Sequence, residues 1–214
     1  MDFRIISTVV LVLLIFVLPL LPKPELLCSW PVVLSAIAGI FLNASQPPIL
    51  PKHLVGKSDK DRRSVLAILI AGGLTFLIPL LDFAYGRQAR PPFDSCWSYV
   101  GLILIVGGLA FRYWAIRVLG RFFTSTVEVK GDQTVIQSGP YRYLRHPSYL
   151  GTLVMAVGVP ILYRSYIGIA FSLVGFSIAY AIRITAEEKA LVSDLGQPYV
   201  DYQKRTWRLI PFVF

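Results

Sequence analysis

Residues that bind metals or carry redox chemistry are scarce in this sequence. Its 214 residues include two cysteines, Cys28 and Cys96, and two histidines, His53 and His146. Neither cysteine belongs to a CxxC pair or lies at zinc-ligand spacing from a histidine, which argues against a zinc site, a redox dithiol and a disulfide framework. We therefore expect no metal in this protein.

Several cofactor-binding and hydrolytic motifs are absent as well. The sequence contains no GxGxxG pattern after a predicted strand, no P-loop, no HExxH and no GxSxG. A standard Rossmann-type cofactor site is therefore not expected. Any cofactor must bind through a different set of residues.

Charged residues are also few, at 15% of the chain, whereas 55% of the residues are hydrophobic and the mean hydropathy is +0.63. A soluble domain of this length does not need so much apolar surface, so the composition predicts an integral membrane protein. The net charge of +9 would suit nucleic acid if the basic residues formed a continuous stripe. They fall between apolar runs instead, and membrane topology explains them better.

The apolar runs predict membrane-crossing helices. Four of them are long enough to cross the hydrocarbon core: Phe3–Leu21, Leu26–Ala44, Val65–Ala84 and Trp97–Leu119. Two more, Ser148–Leu162 and Tyr166–Ile184, are joined by three residues and predict a tight helical hairpin. The first run lacks a small-residue cleavage site and predicts a retained signal-anchor helix. We expect one membrane domain over 1–214, with N-terminal spans in 1–119 and the catalytic loop, hairpin and tail in 120–214.

The basic residues favour one side of the membrane. If six helices cross, 14 of the 21 Lys and Arg residues lie on the side that holds the N-terminus, the polar segment 120–146 and the tail, and 4 lie on the other side. Positive residues accumulate in cytoplasmic loops. The polar segment and both termini are therefore predicted to face the cytosol.

A polar cluster, YRYLRHPSYLG, stands between two apolar runs at 141–151. Pro147 is favourable in the first turn of a helix, which places His146 beside helix N-terminal amides that attract anionic or electron-rich groups. Taken alone, His146 could be an interfacial histidine and Tyr149 part of an aromatic belt. Together with Tyr141 and Arg145 in one short window, they predict a ligand site.

A second cluster follows at the end of the last span, where Arg183 and Glu187 are four residues apart on one helix face. An ordinary surface salt bridge is the alternative interpretation. However, a cation near the end of an apolar span is expensive and usually functional. Because the hairpin is tight, we expect His146 and Tyr149 to face Arg183 and Glu187 across one cavity.

Two other arginines, Arg112 and Arg117, lie near the end of the fourth span. Long basic side chains near a helix end can extend to the membrane interface. We expect both to be structural anchors first and contacts to lipid carboxylates second.

The run GPYRYLRHPSYLG (139–151), followed by an apolar hairpin and then RITAEEKALVSDLGQPYVDYQKRTWRLIPF, resembles the isoprenylcysteine carboxyl methyltransferases. These membrane enzymes use S-adenosylmethionine to methylate the C-terminal prenylcysteine of processed CaaX proteins. The resemblance covers roughly 122–214. The motif RHPxYxG with a later Glu-Glu pair is shared, in looser form, with phospholipid N-methyltransferases and membrane sterol reductases.

The resemblance implies roles for individual residues. Arg183 corresponds to the family's substrate-binding arginine and Glu187 to its cofactor-binding glutamate, and both are expected to be catalytic. Glu128 falls nearest to a further polar cofactor contact, and Gln133 stands where family members often carry histidine. The remaining cofactor-binding positions correspond to Gln133, Thr134, Val135, Ile136, Tyr141, His146, Pro147, Ser148 and Tyr149.

The chemistry favours a carboxylate as the methyl acceptor. A carboxylate is already ionised at neutral pH and needs no general base, and Arg183 can hold it through two parallel hydrogen bonds. A cationic phospholipid amine would gain nothing from a nearby arginine. The alternatives are a phospholipid or other small-molecule methyltransferase, an NADPH-dependent sterol reductase, and a non-enzymatic transporter or scaffold.

The resemblance also implies a fold and a location. We expect an all-α integral membrane protein with five or six transmembrane helices, a C-terminal helical hairpin and a cytosolic cofactor site. The expected partners are the prenylated C-terminal cysteine of CaaX proteins and the lipid bilayer, without nucleic acid. A eukaryotic source would place the protein in the endoplasmic reticulum, and a prokaryotic source would place it in the plasma membrane.

Overall fold

The computed structural model describes residues 3–46, 59–86, 96–124 and 134–212, and these residues are predominantly helical. The described residues form no strand and contain one isolated bridge, between Leu144 and Trp207. The predicted all-α class is thus confirmed. The α-helices are α1 (Phe3–Val12), α2 (Trp30–Ala44), α3 (Asp59–Tyr85), α4 (Cys96–Leu119), α5 (Pro147–Leu162), α6 (Tyr166–Leu195) and α7 (Gln197–Gln203).

Three stretches are long and apolar enough to cross a membrane: Arg63–Tyr85, Cys96–Phe122 and Tyr166–Leu195. Three apolar helical stretches are shorter, namely Ile5–Leu20, Trp30–Ala44 and Pro147–Leu162. At 1.5 Å per residue, a 16-residue helix such as α5 is about 24 Å long, less than the ~30 Å of a typical hydrocarbon core. The structure therefore supports three full-length spans and leaves six crossings as a prediction.

The first apolar run is not the uniform helix that the sequence predicts. The α-helical part ends at Val12, and a π-helical turn, Leu13–Val17, and a 3-10 turn, Leu18–Leu20, follow. Pro19 explains the change, because proline has no amide hydrogen to donate and its ring clashes with the carbonyl four residues earlier. Likewise, α2 begins at Trp30 rather than near Leu26, with a proline in its first turn.

Glycines bring α4 and α5 into backbone contact. A Cβ atom on Gly108 would lie 2.6 Å from the Gly151 carbonyl oxygen, and one on Gly151 would lie 2.7 Å from the Arg112 amide nitrogen. One heptad further along, a Cβ atom on Gly101 would lie 2.8 Å from the Gly158 carbonyl oxygen. Small residues permit such close approach between membrane helices. The beginning of α5 is consequently held against the end of α4, where the polar cluster lies.

Two long-range hydrogen bonds connect helix ends at one end of the bundle. The Tyr85 hydroxyl at the end of α3 donates to the Pro19 carbonyl at the end of the first apolar run at 2.7 Å, and the Tyr163 hydroxyl after α5 donates to the Pro31 carbonyl at the start of α2 at 3.2 Å. The ends of the first run, α3 and α5 and the beginning of α2 therefore lie together. The other end, where α4 ends, α5 begins and α6 ends, is called the site end below.

Helix α6 extends further than the predicted span. It runs without a break from Tyr166 to Leu195, and Gly196, with φ of +62°, ends it. Thirty helical residues measure about 45 Å, which is longer than the ~30 Å core. The last turns, with Glu187 and Glu188, therefore project beyond the apolar part of the helix.

The tail after α7 folds back onto the polar cluster through backbone hydrogen bonds. The Trp207 amide donates to the Tyr143 carbonyl at 3.0 Å, and the Arg145 amide donates to the Trp207 carbonyl at 2.9 Å. The His146 amide donates to the Arg208 carbonyl at 3.2 Å. These bonds attach the chain immediately before α5 to the tail.

Candidate active site

A cleft opens at the site end, between the end of α4, the polar cluster, the last turns of α6 and α7. Its lining combines aromatic and apolar side chains with a carboxylate and hydroxyl groups. Its lining residues are Leu119, Phe122, Phe123, Thr124, Thr134, Val135, Ile136, Tyr141, Arg145, His146, Ser148, Tyr149, Glu187, Leu191, Leu195, Tyr199 and Tyr202.

Three polar side chains meet at the wall formed by α5 and α6. The Tyr149 hydroxyl donates to Glu187 Oε2 at 2.6 Å and accepts from Arg183 Nε at 3.3 Å. Arg183 Nε lies 3.8 Å from the same carboxylate oxygen, and Nη1 lies 3.4 Å from Ser64 Oγ. Arg183 is buried, whereas Glu187 keeps 29% of its side chain exposed. The carboxylate thus faces the cleft and the guanidinium lies behind it.

Tyr149 also belongs to an aromatic stack that fixes its ring. The Tyr149 ring is nearly parallel to that of His146, with centroids 5.5 Å apart, and to that of Tyr180, with centroids 4.8 Å apart. His146 is buried at 4% exposure. Offset stacking adds stabilisation beyond burial, so the Tyr149 hydroxyl is held at a defined position.

Glu188 forms a separate network directly behind the cleft. Its Oε1 accepts from Arg145 Nε at 2.7 Å and from His146 Nε2 at 3.3 Å. Its Oε2 accepts from Arg208 Nε at 2.9 Å and Nη2 at 2.8 Å. A carboxylate only accepts hydrogen bonds, so Nε2 of His146 carries the proton in this contact. One buried carboxylate therefore joins α6, the polar cluster and the tail.

Two further hydrogen bonds hold the polar cluster in place from α7. The Tyr202 hydroxyl donates to the carbonyls of Tyr141 at 2.7 Å and Leu144 at 3.1 Å. Burial raises the pKa of Tyr202 above the ordinary value for a phenol. Burial, reinforced by the Glu187 carboxylate, raises the pKa of Tyr141 as well. Both phenols are therefore neutral at physiological pH and can donate.

The sequence analysis predicts that Arg112 extends to the membrane interface, but the structure buries its side chain. Its side chain is 1% exposed, and its Nη1 donates to the Ser148 carbonyl at 3.1 Å and to Thr152 Oγ1 at 2.9 Å. The close approach at Gly108 and Gly151 explains this, because α4 and α5 are near enough for Arg112 to reach the first turn of α5. Arg117, one turn later, is exposed as expected, with Cζ 5.9 Å from the Tyr113 ring centroid.

Comparison with known proteins gives consistent results. Residues 100–193 match the sequence profile of the isoprenylcysteine carboxyl methyltransferase family. Protein-S-isoprenylcysteine O-methyltransferase B of Arabidopsis thaliana is 33% identical over 182 residues, which cover 83% of this chain and 91% of the relative. Protein-S-isoprenylcysteine O-methyltransferase of Dictyostelium discoideum is 36% identical over 123 residues, 55% of this chain and 50% of the relative.

The chain belongs to the isoprenylcysteine carboxyl methyltransferase family. A solved structure of the eukaryotic intramembrane Ras methyltransferase of this family superposes with a TM-score of 0.61 at 23% identity, covering 98% of this chain and 75% of that one. The likeness shows that the two share a fold. Together with the apolar helices, it identifies a multi-pass membrane protein.

The structure brings together most of the residues that the family resemblance singles out. Pro147 is the first residue of α5 and is buried, and Arg183 reaches the cleft through Tyr149. Gln133 and Glu128 lie outside the described residues. The predicted residues that line the cleft are Thr134, Val135, Ile136, Tyr141, His146, Ser148, Tyr149 and Glu187.

Sequence reasoning missed the second network and the burial of Arg112. His146 lines the same cleft as Glu187, but its ring nitrogen contacts Glu188, to which the sequence analysis assigns no role. The sequence could have indicated a separate role for Glu188. Adjacent residues on a helix point about 100° apart, so Glu187 and Glu188 cannot both face one cleft. Arg112 was harder to find, because its burial depends on glycine contacts between two helices. Among the described residues, no group of three His, Cys, Asp or Glu side chains could hold a metal.

Proposed function

We propose that this protein uses S-adenosylmethionine to methylate the C-terminal carboxylate of a prenylated cysteine. The observation that carries the proposal is the cluster of Arg183, Tyr149 and Glu187 at the wall of one cleft. It combines a cation suited to a carboxylate substrate with a carboxylate suited to a cationic methyl donor. Membership of the family supports the same pairing.

The residues of the cleft fit the methyl donor. S-adenosylmethionine supplies a methyl group activated by attachment to a positively charged sulfur. The partly exposed Glu187 carboxylate suits the donor's ammonium group, and aromatic surfaces such as Tyr141 and Tyr149 suit cationic and planar groups. We assign donor binding to Gln133, Thr134, Val135, Ile136, Tyr141, His146, Pro147, Ser148, Tyr149 and Glu187.

Arg183 is assigned to the acceptor carboxylate. It lies beside the cleft, where its Nε donates to the Tyr149 hydroxyl at 3.3 Å and lies 3.8 Å from Glu187 Oε2. A guanidinium suits a substrate carboxylate because it can offer two parallel hydrogen bonds. The acceptor is already ionised at neutral pH, so the site needs no general base.

The chain contributes mainly by positioning and by excluding water. Methyl transfer from sulfur is an in-line displacement whose rate depends on alignment and desolvation. The Tyr149 ring stacks on His146 and Tyr180 and so fixes its hydroxyl between Arg183 and Glu187. We assign Tyr149 the role of holding Glu187 and Arg183 in fixed relative positions through that hydroxyl.

The prenyl chain and the membrane location follow from the same proposal. A prenyl group is apolar and would approach the cleft from the bilayer, between helices. The basic-residue bias favours a cytosol-facing cleft. In a eukaryote the location would be the endoplasmic reticulum membrane, with prenylated CaaX proteins as substrates. In a prokaryote it would be the plasma membrane, with a different acceptor.

Methyl transfer to a minimal acceptor tests the proposal directly. Purified protein is incubated with radiolabelled S-adenosylmethionine and N-acetyl-farnesylcysteine, and base-labile methyl ester is measured. We expect wild type to form the ester and Arg183→Ala and Glu187→Ala to lose it. Asp194→Ala, an exposed carboxylate two turns further along α6, is the matched control and should retain activity.

The outcomes separate the parts of the proposal. Donor binding without ester formation in wild type would contradict the acceptor assignment and direct the search to lipid amines. A wild type that binds no donor would contradict the methyltransferase function altogether. Full activity in both Arg183→Ala and Glu187→Ala would contradict their assigned roles.

A further inference from the structure

Arg112 has more hydrogen-bonding capacity than its surroundings use. Only Nη1 is engaged, by the Ser148 carbonyl and Thr152 Oγ1. Among the described residues, Nε and Nη2 have no hydrogen-bond partner, although both are buried. Arginine remains charged in proteins and is a pure donor. The structure therefore holds a buried cation with one side unsatisfied.

Burying a cation without a counter-ion costs free energy. The other arginines near the cleft lie beside carboxylates. Arg145 and Arg208 share the Glu188 carboxylate, and Arg183 lies beside Glu187. Arg112 forms no ion pair with any described residue, and the ionisable groups that influence it most are phenols. A charge inside a membrane helix that lacks a partner marks a functional site by default.

The unsatisfied atoms form the edge of the guanidinium that binds carboxylates. Nε and Nη2 lie side by side on one edge, and their two N–H bonds point in parallel toward a single ligand. Arg208 uses this same pair of atoms on Glu188. In Arg112, the structural bond to α5 is made by Nη1, so the carboxylate-binding edge remains available.

Arg112 lies next to the cleft rather than in a remote part of the bundle. Ser148, whose carbonyl accepts from Arg112, lines the cleft. The Phe123 ring also lines it, and its centroid is 5.7 Å from Arg112 Cζ. Because both nitrogens are buried, a ligand must displace a covering side chain to reach them, and Phe123 is a neighbour of the guanidinium that also lines the cleft.

We propose that Arg112 is a second carboxylate-binding residue of this site, which receives a ligand carboxylate on its Nε and Nη2 atoms. The assignment rests on the function proposed above, because the acceptor and the methyl donor each bring one carboxylate into the cleft. Either carboxylate has the required chemistry.

Binding measurements with carboxylate-free analogues test this proposal. The purified full chain in detergent is titrated with N-acetyl-farnesylcysteine and its carboxamide, and with S-adenosylmethionine and its decarboxylated form. The variants are Arg112→Gln, which removes the charge, and Arg112→Lys, which keeps the charge but lacks the two-nitrogen edge. Arg117→Gln, on the same helix and exposed, is the matched control.

We expect Arg112→Gln to lose roughly tenfold or more in affinity for one of the two carboxylate ligands, the range for hydrogen bonds to charged groups. It should bind the corresponding carboxylate-free analogue as tightly as wild type does. A loss confined to the acceptor pair assigns Arg112 to the acceptor, and a loss confined to the donor pair assigns it to the donor. Arg112→Lys should show the same selective loss in smaller measure.

An unchanged preference for carboxylate over analogue, in both ligand pairs, would overturn the assignment, whatever the melting temperature of the variant. If Arg112→Gln does not fold, the same comparison on Arg112→Lys decides: wild-type preference there overturns the assignment. Failure of the proposed function looks different, because wild type itself would then bind neither donor nor acceptor. In that case this assignment falls with it.

Discussion

At the scale of single residues, the neighbouring carboxylates of Glu187 and Glu188 have opposite environments. Glu187 accepts one hydrogen bond from Tyr149 and keeps 29% of its side chain exposed to the cleft. Glu188 is 5% exposed and accepts from two arginines and a histidine. A buried carboxylate surrounded by cations cannot exchange its partners for a ligand. Glu187 is therefore suited to binding and Glu188 to holding the structure together.

Neutralising each glutamate in turn should separate these roles. Glu188→Gln leaves the charges of Arg145 and Arg208 without a counter-ion, and removing one partner of a buried ion pair costs on the order of 3 kcal/mol or more. Glu187→Gln removes a charge 3.8 Å from Arg183, but Glu187 is 29% exposed and the glutamine oxygen can still accept from Tyr149, so we expect a loss of about 1 kcal/mol. We expect Glu188→Gln to lower the melting temperature much more, and Glu187→Gln to weaken donor binding without such a change.

Thermal unfolding in detergent and equilibrium donor binding are the two measurements. Glu188→Asp serves as the conservative control, because it keeps the charge while shortening the side chain. Equal shifts in melting temperature for Glu187→Gln and Glu188→Gln would contradict the division of roles.

The sequence could indicate the residues of this site but not how they divide between two networks. Arg183 and Glu187 are predictable neighbours, because a helix places residues four apart on one face. That Tyr149 joins them while His146 turns to Glu188 depends on the tail, whose residue Arg208 occupies the other carboxylate oxygen. No local pattern predicts a contact between residues twenty positions apart across a turn.

At the scale of helices, glycine spacing sets the distance between α4 and α5. Gly101 and Gly108 are seven residues apart on α4, and so are Gly151 and Gly158 on α5. Residues seven apart lie on nearly the same face of a helix. Each glycine pair therefore leaves one strip of its helix without side chains, and the two strips face each other. These strips let the first turn of α5, with Ser148 and Tyr149, pack against the end of α4.

Adding one methyl group to this contact should destabilise the bundle. In Gly108→Ala the new Cβ would lie 2.6 Å from backbone atoms of α5, which cannot move aside as a flexible side chain could. Overpacking of this kind costs roughly 1–3 kcal/mol. We expect a lower melting temperature and weaker donor binding, measured on purified protein.

The adjacent glycine supplies the matched control for that variant. A Cβ atom on Gly107 meets nothing within 4 Å, so Gly107→Ala should leave the melting temperature unchanged or raise it slightly, since alanine favours helix over glycine. Equal destabilisation by Gly107→Ala and Gly108→Ala would contradict this explanation, because Gly107 makes no close contact with α5.

The sequence predicts the helices better than it predicts their ends. Apolar runs locate each helix, because burial in lipid or in the bundle demands them. Hydropathy alone ends the last span at Ile184, whereas α6 continues to Leu195, since its later residues pack against the polar cluster and the tail. Pro19 predicts that the first helix is interrupted. No sequence pattern predicts that the interruption takes the form of a π-helical turn at Leu13–Val17.

At the scale of the whole molecule, the direction of each helix determines which groups share a membrane face. At the end opposite to the cleft, Tyr85 donates to Pro19 and Tyr163 donates to Pro31. The cleft lies at the end that the sequence analysis assigns to the side with most of the basic residues. A cytosol-facing cleft therefore stays a prediction that rests on this charge bias.

The two native cysteines offer a test of this orientation without foreign labels. Cys28 precedes α2 and Cys96 begins α4, so both lie at the end opposite to the cleft, and both are exposed. In sealed vesicles with the cytosolic side outward, a membrane-impermeant maleimide should not label either cysteine until the membrane is permeabilised. Ser138→Cys, at an exposed position of the site end, should be labelled at once when introduced into a Cys28→Ser, Cys96→Ser background. Prompt labelling of the native cysteines in intact vesicles would reverse the orientation and place the cleft away from the cytosol, where a cytosolic prenylated substrate could not reach it.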